Sequence, residues 1–422
     1  MVDRATKFRE ARFGLFIHWG TYSVAGFEAS WPLVRGTIGW DDYHALADRF
    51  NPAAYDPVAW AALAKATGVR YAVLTSKHHD GFAMFDTKLS DYSSVQRAAG
   101  RDLVRGYVDA FRAAGILVGF YFSLSDWHHP DYPIEIVEPQ QRHWRPPSGQ
   151  TPNAPRSIAS DPARWERYLA FTHGQVRELC ENYGEIDLFW FDGDWEHTAA
   201  EWRSAELVAM IRALQPGAIV NNRLGGFGSF DPGLGDYGTP ELFVPVDPPE
   251  TPWETCLTIN ETWAYNPHDR AYKSSRELVT TLAEVASKGG NLLLNVGPTP
   301  EGTIPPEFSS RLRTIGHWLE GNREAIFAQG WGLAPGAFYG GPTTGSDAAV
   351  YLHVLGRPGG EEVIVRGLGR RRVVAASILA TGAPLEFDQH RGELEQGVLR
   401  VRLPDAYHDP LMTVVKLTTA EE

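Results

Sequence analysis

A run of apolar residues that ends on a carboxylate is the first place in this chain where chemistry could occur. Residues 184–195 read Gly-Glu-Ile-Asp-Leu-Phe-Trp-Phe-Asp-Gly-Asp-Trp, so Asp192 follows an apolar stretch and lies between two tryptophans. An ionised carboxylate at the edge of an apolar core must be hydrogen-bonded or used, which makes Asp192 a candidate nucleophile. The alternative is an N-cap for a helix after the strand, because aspartate also serves that purpose. This segment alone leaves both interpretations open.

Other apolar runs also end on unusual groups, and together these groups predict a pocket. They are His18-Trp19, Lys77-His78-His79-Asp80, Tyr121, Asp126-Trp127-His128-His129, Asp192, Asn222-Arg223 and Asn295. A single histidine at such a place is more often a satisfied buried side chain. Because barrel enzymes collect their chemistry at the carboxyl ends of the strands, the whole set indicates one site. Hydrogen-bonding groups, aromatic walls and a carboxylate suit a neutral polyhydroxylated ligand.

A metal site is the first alternative, since histidines and aspartates at strand ends also hold zinc. Adjacent residues on a strand point to opposite faces, so we expect that His78 and His79 do not share one ion. The sequence contains no His-x-His or His-Glu-x-x-His spacing either. We therefore expect no metal and no other cofactor.

Glycoside chemistry would require a second carboxyl group. Three glutamates in the later part of the chain compete for this role: Glu241, Glu254 and Glu261. Glu241 is preferred, because it lies in a loop rich in Gly and Pro that can fold over the mouth of a pocket. Glu254 precedes a predicted strand and could instead be a structural partner of Arg223. The residues alone leave this choice open.

Apolar strand-like runs alternate with amphipathic helix-like runs, which predicts a parallel α/β fold. The predicted strands are residues 13–18, 71–76, 117–123, 186–192, 218–223, 256–260 and 291–296, and the predicted helices are 57–67, 102–114, 161–183, 201–214 and 274–287. No Gly-x-Gly-x-x-Gly turn or phosphate loop follows the first strand, which favours a (β/α)8-type, TIM-like barrel over a doubly wound sheet. An eighth strand could not be placed.

The chain divides into a predicted barrel, residues 1–332, and a predicted C-terminal all-β sandwich, residues 333–422. In the second part, short alternating segments are separated by Gly, Pro and Asp. We assign the sandwich a packing role and no chemistry. Residues 127–160 and 225–255 are predicted to be long loops on one rim of the barrel, where such loops usually build a site.

The composition limits the class of protein. With 422 residues, 43% of them hydrophobic, the chain is globular and can form one large domain and a smaller one. The net charge of −13 disfavours nucleic acid as a partner. Two cysteines, Cys180 and Cys256, do not imply a disulfide framework. We see neither a secretory signal nor a membrane-spanning run, so we expect a cytoplasmic protein without a membrane partner; the oligomeric state is not indicated.

The motifs resemble those of the retaining α-L-fucosidases of glycoside hydrolase family 29. The matching segments are Phe-Gly-Leu-Phe-Ile-His-Trp-Gly (13–20), Lys-His-His-Asp-Gly-Phe (77–82), Gly-Phe-Tyr-Phe-Ser (119–123), Trp-Phe-Asp-Gly-Asp-Trp (190–195), Asn-Asn-Arg (221–223) and Gly-Gly-Asn-Leu-Leu-Leu-Asn-Val-Gly-Pro (289–298). They cover the predicted barrel in order, and their combination is highly specific.

This resemblance implies hydrolysis of terminal α-L-fucosyl residues from fucosylated glycans or oligosaccharides, through a covalent fucosyl-enzyme. It implies that Asp192 is the nucleophile. In members whose loop reads Thr-x-Glu, that glutamate is the acid/base, which is Glu241 here; Glu254 is the reserve. The sugar is expected to be bound by His18, Trp31, His78, His79, Tyr121, Arg223 and Trp263.

One position departs from the family pattern. Many members carry Glu-Trp-Tyr in the first loop, where the Glu and the Trp touch the sugar, whereas Ser30 precedes Trp31 in this chain. A retaining glycosidase for a related sugar, such as a galactoside, is therefore kept as an alternative. A sugar-binding relative without catalytic activity is a further alternative. The motifs do not specify the linkage, because the rim loops set it.

Overall fold

Seven parallel strands form the sheet that carries the predicted site. The structure is a computed structural model that describes residues 4–35, 37–97, 99–133, 158–225, 233–368, 371–390 and 397–420. The strands are β1 Phe13–Ile17, β2 Tyr71–Lys77, β3 Leu117–Ser123, β4 Leu188–Asp192, β5 Ile219–Val220, β6 Glu254–Thr258 and β7 Asn291–Val296. Their order in the sheet is β5-β4-β3-β2-β1-β7-β6. All seven predicted strands are present, and the (β/α)8-type fold is confirmed.

Residues 236–242 link the two edges of this sheet, and we call them the bridging segment. On the β5 side, the Asp236 amide donates to the Val220 carbonyl at 2.7 Å. On the β6 side, the Glu254 amide donates to the Gly238 carbonyl at 2.9 Å, and Glu241 forms a parallel bridge with Cys256. The bridging segment therefore takes the place of the eighth strand. Its residues, Asp-Tyr-Gly-Thr-Pro-Glu-Leu, contain no apolar run, which is why the sequence pattern did not reveal it.

Helices surround the sheet. They are α1 Arg4–Ala11, α2 Tyr22–Ala25, α3 Trp31–Arg35, α4 Trp40–His44, α5 Pro57–Thr67, α6 Leu103–Ala113, α7 Pro162–Asn182, α8 Ser204–Leu214, α9 Ser275–Ser287 and α10 Pro306–Ile326. The five predicted helices correspond to α5 to α9. Side chains of Asp56, Asp102, Asp161 and Ser274 cap four of them, as expected for residues of this type at a helix N-terminus.

The helix α10 was not among the predicted helices. Its buried residues include Phe308, Leu312, Ile315, Leu319 and Ile326, so the helical period was present in the sequence. Pro306 at the first position is also typical of a helix start. The helix packs against α5 and α9 and so belongs to the outer layer of the barrel.

The C-terminal part is a β-sandwich, as predicted. Its strands are β8 Gly330–Trp331, β9 Thr343–Gly345, β10 Ala349–Val354, β11 Glu362–Arg366, β12 Arg372–Ile378, β13 Phe387–His390, β14 Val398–Arg402 and β15 Thr413–Ala420. They form one antiparallel sheet in the order β12-β15-β10-β9-β8 and another in the order β11-β14-β13. Residues such as Leu352, Val365, Leu399 and Val415 form a separate core between the two sheets. The domain boundary at 332/333 stays a prediction, and β8 joins the C-terminal sheet just before it.

The two predicted rim loops are described only in part. Residues 134–157 of the first and residues 226–232 of the second lie outside the described residues. Before that gap, Asp131 accepts hydrogen bonds from Arg164 and Arg167 on α7, which fixes the start of the first loop. Among the helices that the structure describes, none has the length and apolar character needed to cross a membrane.

Candidate active site

A cavity of about 910 Å³ lies at the carboxyl ends of the barrel strands. It is lined by Phe16, His18, Glu28, Trp31, Arg35, His78, His79, Tyr121, Trp190, Asp192, Trp195, Arg223, Glu241, Leu242, Glu261, Thr262 and Trp263. All residues assigned a catalytic or sugar-binding role line this cavity except Glu254. Of the other groups predicted at the strand ends, Trp19, Lys77, Asp80, Asn222, Asn295 and residues 126–129 do not line it. The parallel direction of the strands explains the convergence, because their carboxyl ends lie on one side of the sheet.

Asp192 is the last residue of β4, and both of its carboxylate oxygens accept hydrogen bonds. Tyr121 Oη donates to Oδ2 at 2.9 Å, and Arg223 Nη1 donates to Oδ1 at 2.8 Å. The N-cap interpretation is wrong, because the next described helix is α8, which begins only at Ser204. Gly193 turns the chain directly after Asp192 with a φ of 71°, a conformation that glycine adopts without steric cost. Asp192 is thus held in a fixed direction at the cavity wall.

Arg223 connects the two candidate catalytic carboxyl groups. Its Nη2 donates to Glu241 Oε2 at 2.6 Å, while Nη1 holds Asp192. Burial alone would lower the pKa of Arg223, but Glu241 and Asp192 outweigh burial and hold that pKa well above its ordinary value. The guanidinium therefore stays charged. Two carboxyl groups on one guanidinium are consistent with the short separation, roughly 5 to 5.5 Å, of the carboxyl pair in retaining glycosidases.

The hydrogen bonds of His18 assign its protons. Asn295 Nδ2 donates to the Trp263 carbonyl at 2.6 Å, so Asn295 Oδ1 is the acceptor that faces His18 Nδ1 at 2.7 Å. His18 Nδ1 must then carry the proton. Burial lowers the pKa of His18 to about 3, so the ring is neutral at ordinary pH. Its Nε2 is therefore left as an acceptor for a hydroxyl group.

His79 has the same arrangement. Ser123 Oγ donates to the Ser125 carbonyl at 2.6 Å and so accepts from His79 Nδ1 at 2.7 Å. Burial, followed by the charges of Arg223 and Lys77, lowers the pKa of His79 to about 3. Its unprotonated Nε2 lies 3.7 Å from Asp192 Oδ2. A hydroxyl group bound beside the candidate nucleophile could donate its hydrogen to this Nε2.

His78 and His79 both line the cavity, as the family resemblance implies, whereas the argument from strand alternation placed them on opposite faces. The strand β2 ends at Lys77, so alternation along a strand does not apply to the two residues that follow it. Their rings lie 4.1 Å apart between centroids. Burial lowers the pKa of His78 well below its ordinary value. Within the described ranges, no group of three His, Cys, Asp or Glu side chains is placed to hold a metal ion.

The first loop supplies a carboxyl group from an unexpected position. Ser30 does not line the cavity; it is buried, and its Oγ contacts His78 Nδ1 at 2.6 Å. Glu28 lines the cavity instead, and its two oxygens accept from the Trp263 amide at 3.1 and 3.0 Å. Burial raises the pKa of Glu28 to about 7. The sequence alone did not single out Glu28, because its position depends on contact with a loop far away in the chain.

Two tryptophans contribute to the aromatic lining, one beside His18 and the other beside His79. The ring of Trp263 lies 5.1 Å from that of His18, and the ring of Trp31 lies 5.5 Å from that of His79, both measured between centroids. Trp195, which sequence reasoning missed, stacks on Trp31 at 6.2 Å. The cavity therefore combines hydroxyl acceptors with apolar faces, a combination that suits a sugar ring.

Glu254 is not placed to act as the reserve acid/base. It is the first residue of β6, fully buried, and it does not line the cavity. Its oxygens accept hydrogen bonds from Tyr71 Oη and from Trp190 Nε1. Glu261 does reach the rim of the cavity but is exposed to solvent.

Trp190 is the functional residue that alternation could have revealed. It precedes Asp192 by two positions on β4, so the two side chains share one face of the strand. Leu242, also missed, follows Glu241 and has a φ of 63°, a conformation that is rare for a residue other than glycine.

Comparison with known proteins identifies the family of the chain. The family model for α-L-fucosidase matches residues 2–324. The human tissue α-L-fucosidase is 32% identical over 346 residues, which is 76% of this chain and 68% of the human protein. The structure of α-L-fucosidase isoenzyme 1 from Paenibacillus thiaminolyticus superposes with a TM-score of 0.87 at 39% identity and covers 99% of both chains.

A structure of a family 29 α-L-fucosidase from Bacteroides thetaiotaomicron, described as a trapped covalent intermediate in complex with 2-fluoro-fucosyl fluoride, is similar as well. It is 28% identical, has a TM-score of 0.85, and covers 100% of this chain and 97% of its own. The match extends over the barrel and the sandwich together. By sequence, fold and the residues of its cavity, the chain belongs to the α-L-fucosidases of glycoside hydrolase family 29.

Proposed function

We propose that Asp192 is the nucleophile and Glu241 the acid/base of a retaining α-L-fucosidase that acts on terminal α-L-fucosyl residues of glycans. The observation that carries these roles is the Arg223 guanidinium, which binds one oxygen of each carboxyl group at 2.8 and 2.6 Å. Glu241 is thereby close to Asp192 on the same cavity, whereas Glu254 lies below it.

The reaction proceeds by two displacements. Asp192 attacks the anomeric carbon, the bond from that carbon to the glycosidic oxygen breaks, and Glu241 gives its proton to that oxygen. A covalent fucosyl-enzyme results. Glu241 then takes a proton from water, the water oxygen attacks the anomeric carbon, and Asp192 leaves as a carboxylate. The sugar is released with the configuration that it had in the substrate.

The remaining residues bind the sugar and hold the nucleophile. Tyr121 and Arg223 fix the two oxygens of Asp192, so that one direction of attack is preferred. The unprotonated Nε2 atoms of His18 and His79 accept hydroxyl hydrogens. The face of Trp263 provides an apolar wall for the methyl group that fucose carries in place of a hydroxymethyl group.

Hydrolysis of aryl α-L-fucosides by the wild type, Asp192→Ala and Glu241→Ala tests these roles. We expect turnover by the wild type, loss in both variants, and rescue of Glu241→Ala by azide with retained product stereochemistry. Full activity of Asp192→Ala would disprove the nucleophile, and full activity of Glu241→Ala toward a poor leaving group would disprove the acid/base. Aryl galactosides serve as the control for the alternative sugar.

A further inference from the structure

A fully buried carboxyl group without a role in the mechanism lies below the floor of the cavity. Glu254 begins β6, and its side chain reaches across the barrel interior to β2 and β4. Tyr71 Oη donates to Oε2, and Trp190 Nε1 donates to Oε1 at 2.9 Å. A buried carboxyl group is costly unless such partners satisfy it, so its presence calls for a reason.

The indole of Trp190 connects this carboxyl group to the nucleophile. The guanidinium carbon of Arg223 lies 4.5 Å from the centroid of the Trp190 ring. The ring of Tyr121 stacks on the same indole at 5.6 Å between centroids, with 20° between the planes. Arg223 and Tyr121 are the two groups that hold the oxygens of Asp192. Any tilt of the indole would therefore move both of them.

We propose that Glu254 is a positioning residue for the nucleophile: by accepting from Trp190 Nε1 it fixes the indole against which Arg223 and Tyr121 pack. This inference depends on the proposed role of Asp192. Glu254 touches neither sugar nor reacting atoms, so it is not a catalytic residue. Its contribution is the fixed direction of Asp192, which lowers the barrier by orientation.

The reach of the side chain matters here more than its charge. The two donors lie on different strands, and only a side chain with two polar atoms at the right distance meets both. A glutamine has the same length; its oxygen can accept from the indole, and its amide can donate to the Tyr71 oxygen. An aspartate keeps the carboxyl group but is one methylene shorter. The pair Glu254→Gln and Glu254→Asp therefore separates reach from charge.

The experiment measures kcat/KM of both variants on aryl α-L-fucosides with good and poor leaving groups. We expect Glu254→Gln to stay within about threefold of the wild type and Glu254→Asp to lose about tenfold or more, the effect of one lost hydrogen bond to a buried group. The loss should be equal for both leaving groups, because proton donation by Glu241 is untouched. Inhibition by free L-fucose should change less than kcat, because the residues that bind the sugar remain.

The control is Tyr71→Phe, which removes the other hydrogen bond to Glu254 and leaves the indole contact in place. It should lower thermal stability while changing kcat/KM less than Glu254→Asp does. Loss of activity in Glu254→Gln with retention in Glu254→Asp would show that charge matters and overturn the proposal. Retained activity in both Glu254 variants, or an equal loss of activity in both, would overturn the proposal as well.

A second variant decides the question if Glu254→Asp does not fold. Trp190→Phe removes the Nε1 donor and keeps an aromatic ring, and we expect it to lose about tenfold in kcat/KM. In the double variant with Glu254→Gln, kcat/KM should fall no further than in Trp190→Phe alone, because the effects of substitutions at coupled residues are not additive. An unchanged kcat/KM in Trp190→Phe would refute the inference. Failure of the proposed function is a separate outcome, because it would be seen as full activity of Asp192→Ala.

Discussion

The two carboxyl groups to which we assign the chemistry are held by regions of different character. Asp192 ends a regular strand in the middle of the sheet, has both oxygens hydrogen-bonded, and exposes 12% of its side chain. Glu241 belongs to the irregular bridging segment and exposes 31% of its side chain. The difference matches the two tasks. A nucleophile benefits from one fixed direction, whereas an acid/base must serve first the departing oxygen and then a water molecule.

Replacing Arg223 should remove the difference in how firmly Asp192 and Glu241 are held. Among the predicted effects, that of this substitution is the largest. Arg223→Met removes the charged partner of both carboxyl groups, and we expect kcat/KM to fall by about 10³. Arg35→Met is the matched control, because Arg35 lines the rim of the same cavity and packs over Trp31. A loss of similar size in both variants would contradict a specific bridging role.

Tyr121→Phe affects only the nucleophile side. One of the hydrogen bonds to Asp192 is lost, and kcat/KM should fall by about tenfold for good and poor leaving groups alike. The comparison is made with a series of aryl fucosides. If kcat/KM fell only for substrates with poor leaving groups, Tyr121 would assist proton donation instead. That result would contradict its assignment to the nucleophile.

Leu242→Gly affects only the acid/base side. Leu242 has a φ of 63°, which glycine adopts freely, so the substitution relieves local strain but loosens the residue next to Glu241. We expect kcat/KM to fall roughly threefold for poor leaving groups, in line with about 0.5–1 kcal/mol of added backbone freedom. Good leaving groups, which need less proton donation, should be cleaved at nearly the wild-type rate. Equal losses would show that the loop does more than hold the acid/base.

The smallest expected effect is the pH dependence of the protein's stability that arises from Glu254. Burial raises the pKa of Glu254 to about 7, so its neutral form is favoured in the folded protein. The contribution of Glu254 to the free energy of unfolding is fully present at pH values below the pKa that this residue has in the unfolded chain. It is lost as the pH rises through about 7. The melting temperature of Glu254→Gln, relative to the wild type, should therefore increase between about pH 5 and about pH 8. A constant difference would contradict the raised pKa.

The same two regions show what the sequence could reveal. The strand that delivers Asp192 was predicted because its apolar run is continuous and ends on a charged residue. Glu241 was preferred from its loop and from a family motif, but the bridging segment remained hidden, since its glycine and proline break any strand pattern. The sequence patterns alone did not predict Glu28 or the convergence of His78 and His79, although the family resemblance implied that both histidines surround the sugar. The position of Glu28 and this convergence depend on tertiary contacts or on where a strand stops.

The bridging segment both closes the barrel and carries the proposed acid/base. Glu241, the proposed acid/base, closes the wall between β5 and β6 through its bridge with Cys256, so any movement of Glu241 would be transmitted to the backbone that seals the barrel. In the proposed mechanism, proton transfer and the closure of the barrel thus depend on the same few residues. A change that stiffens the bridging segment for the sake of stability would also restrict the residue that must serve two partners in turn.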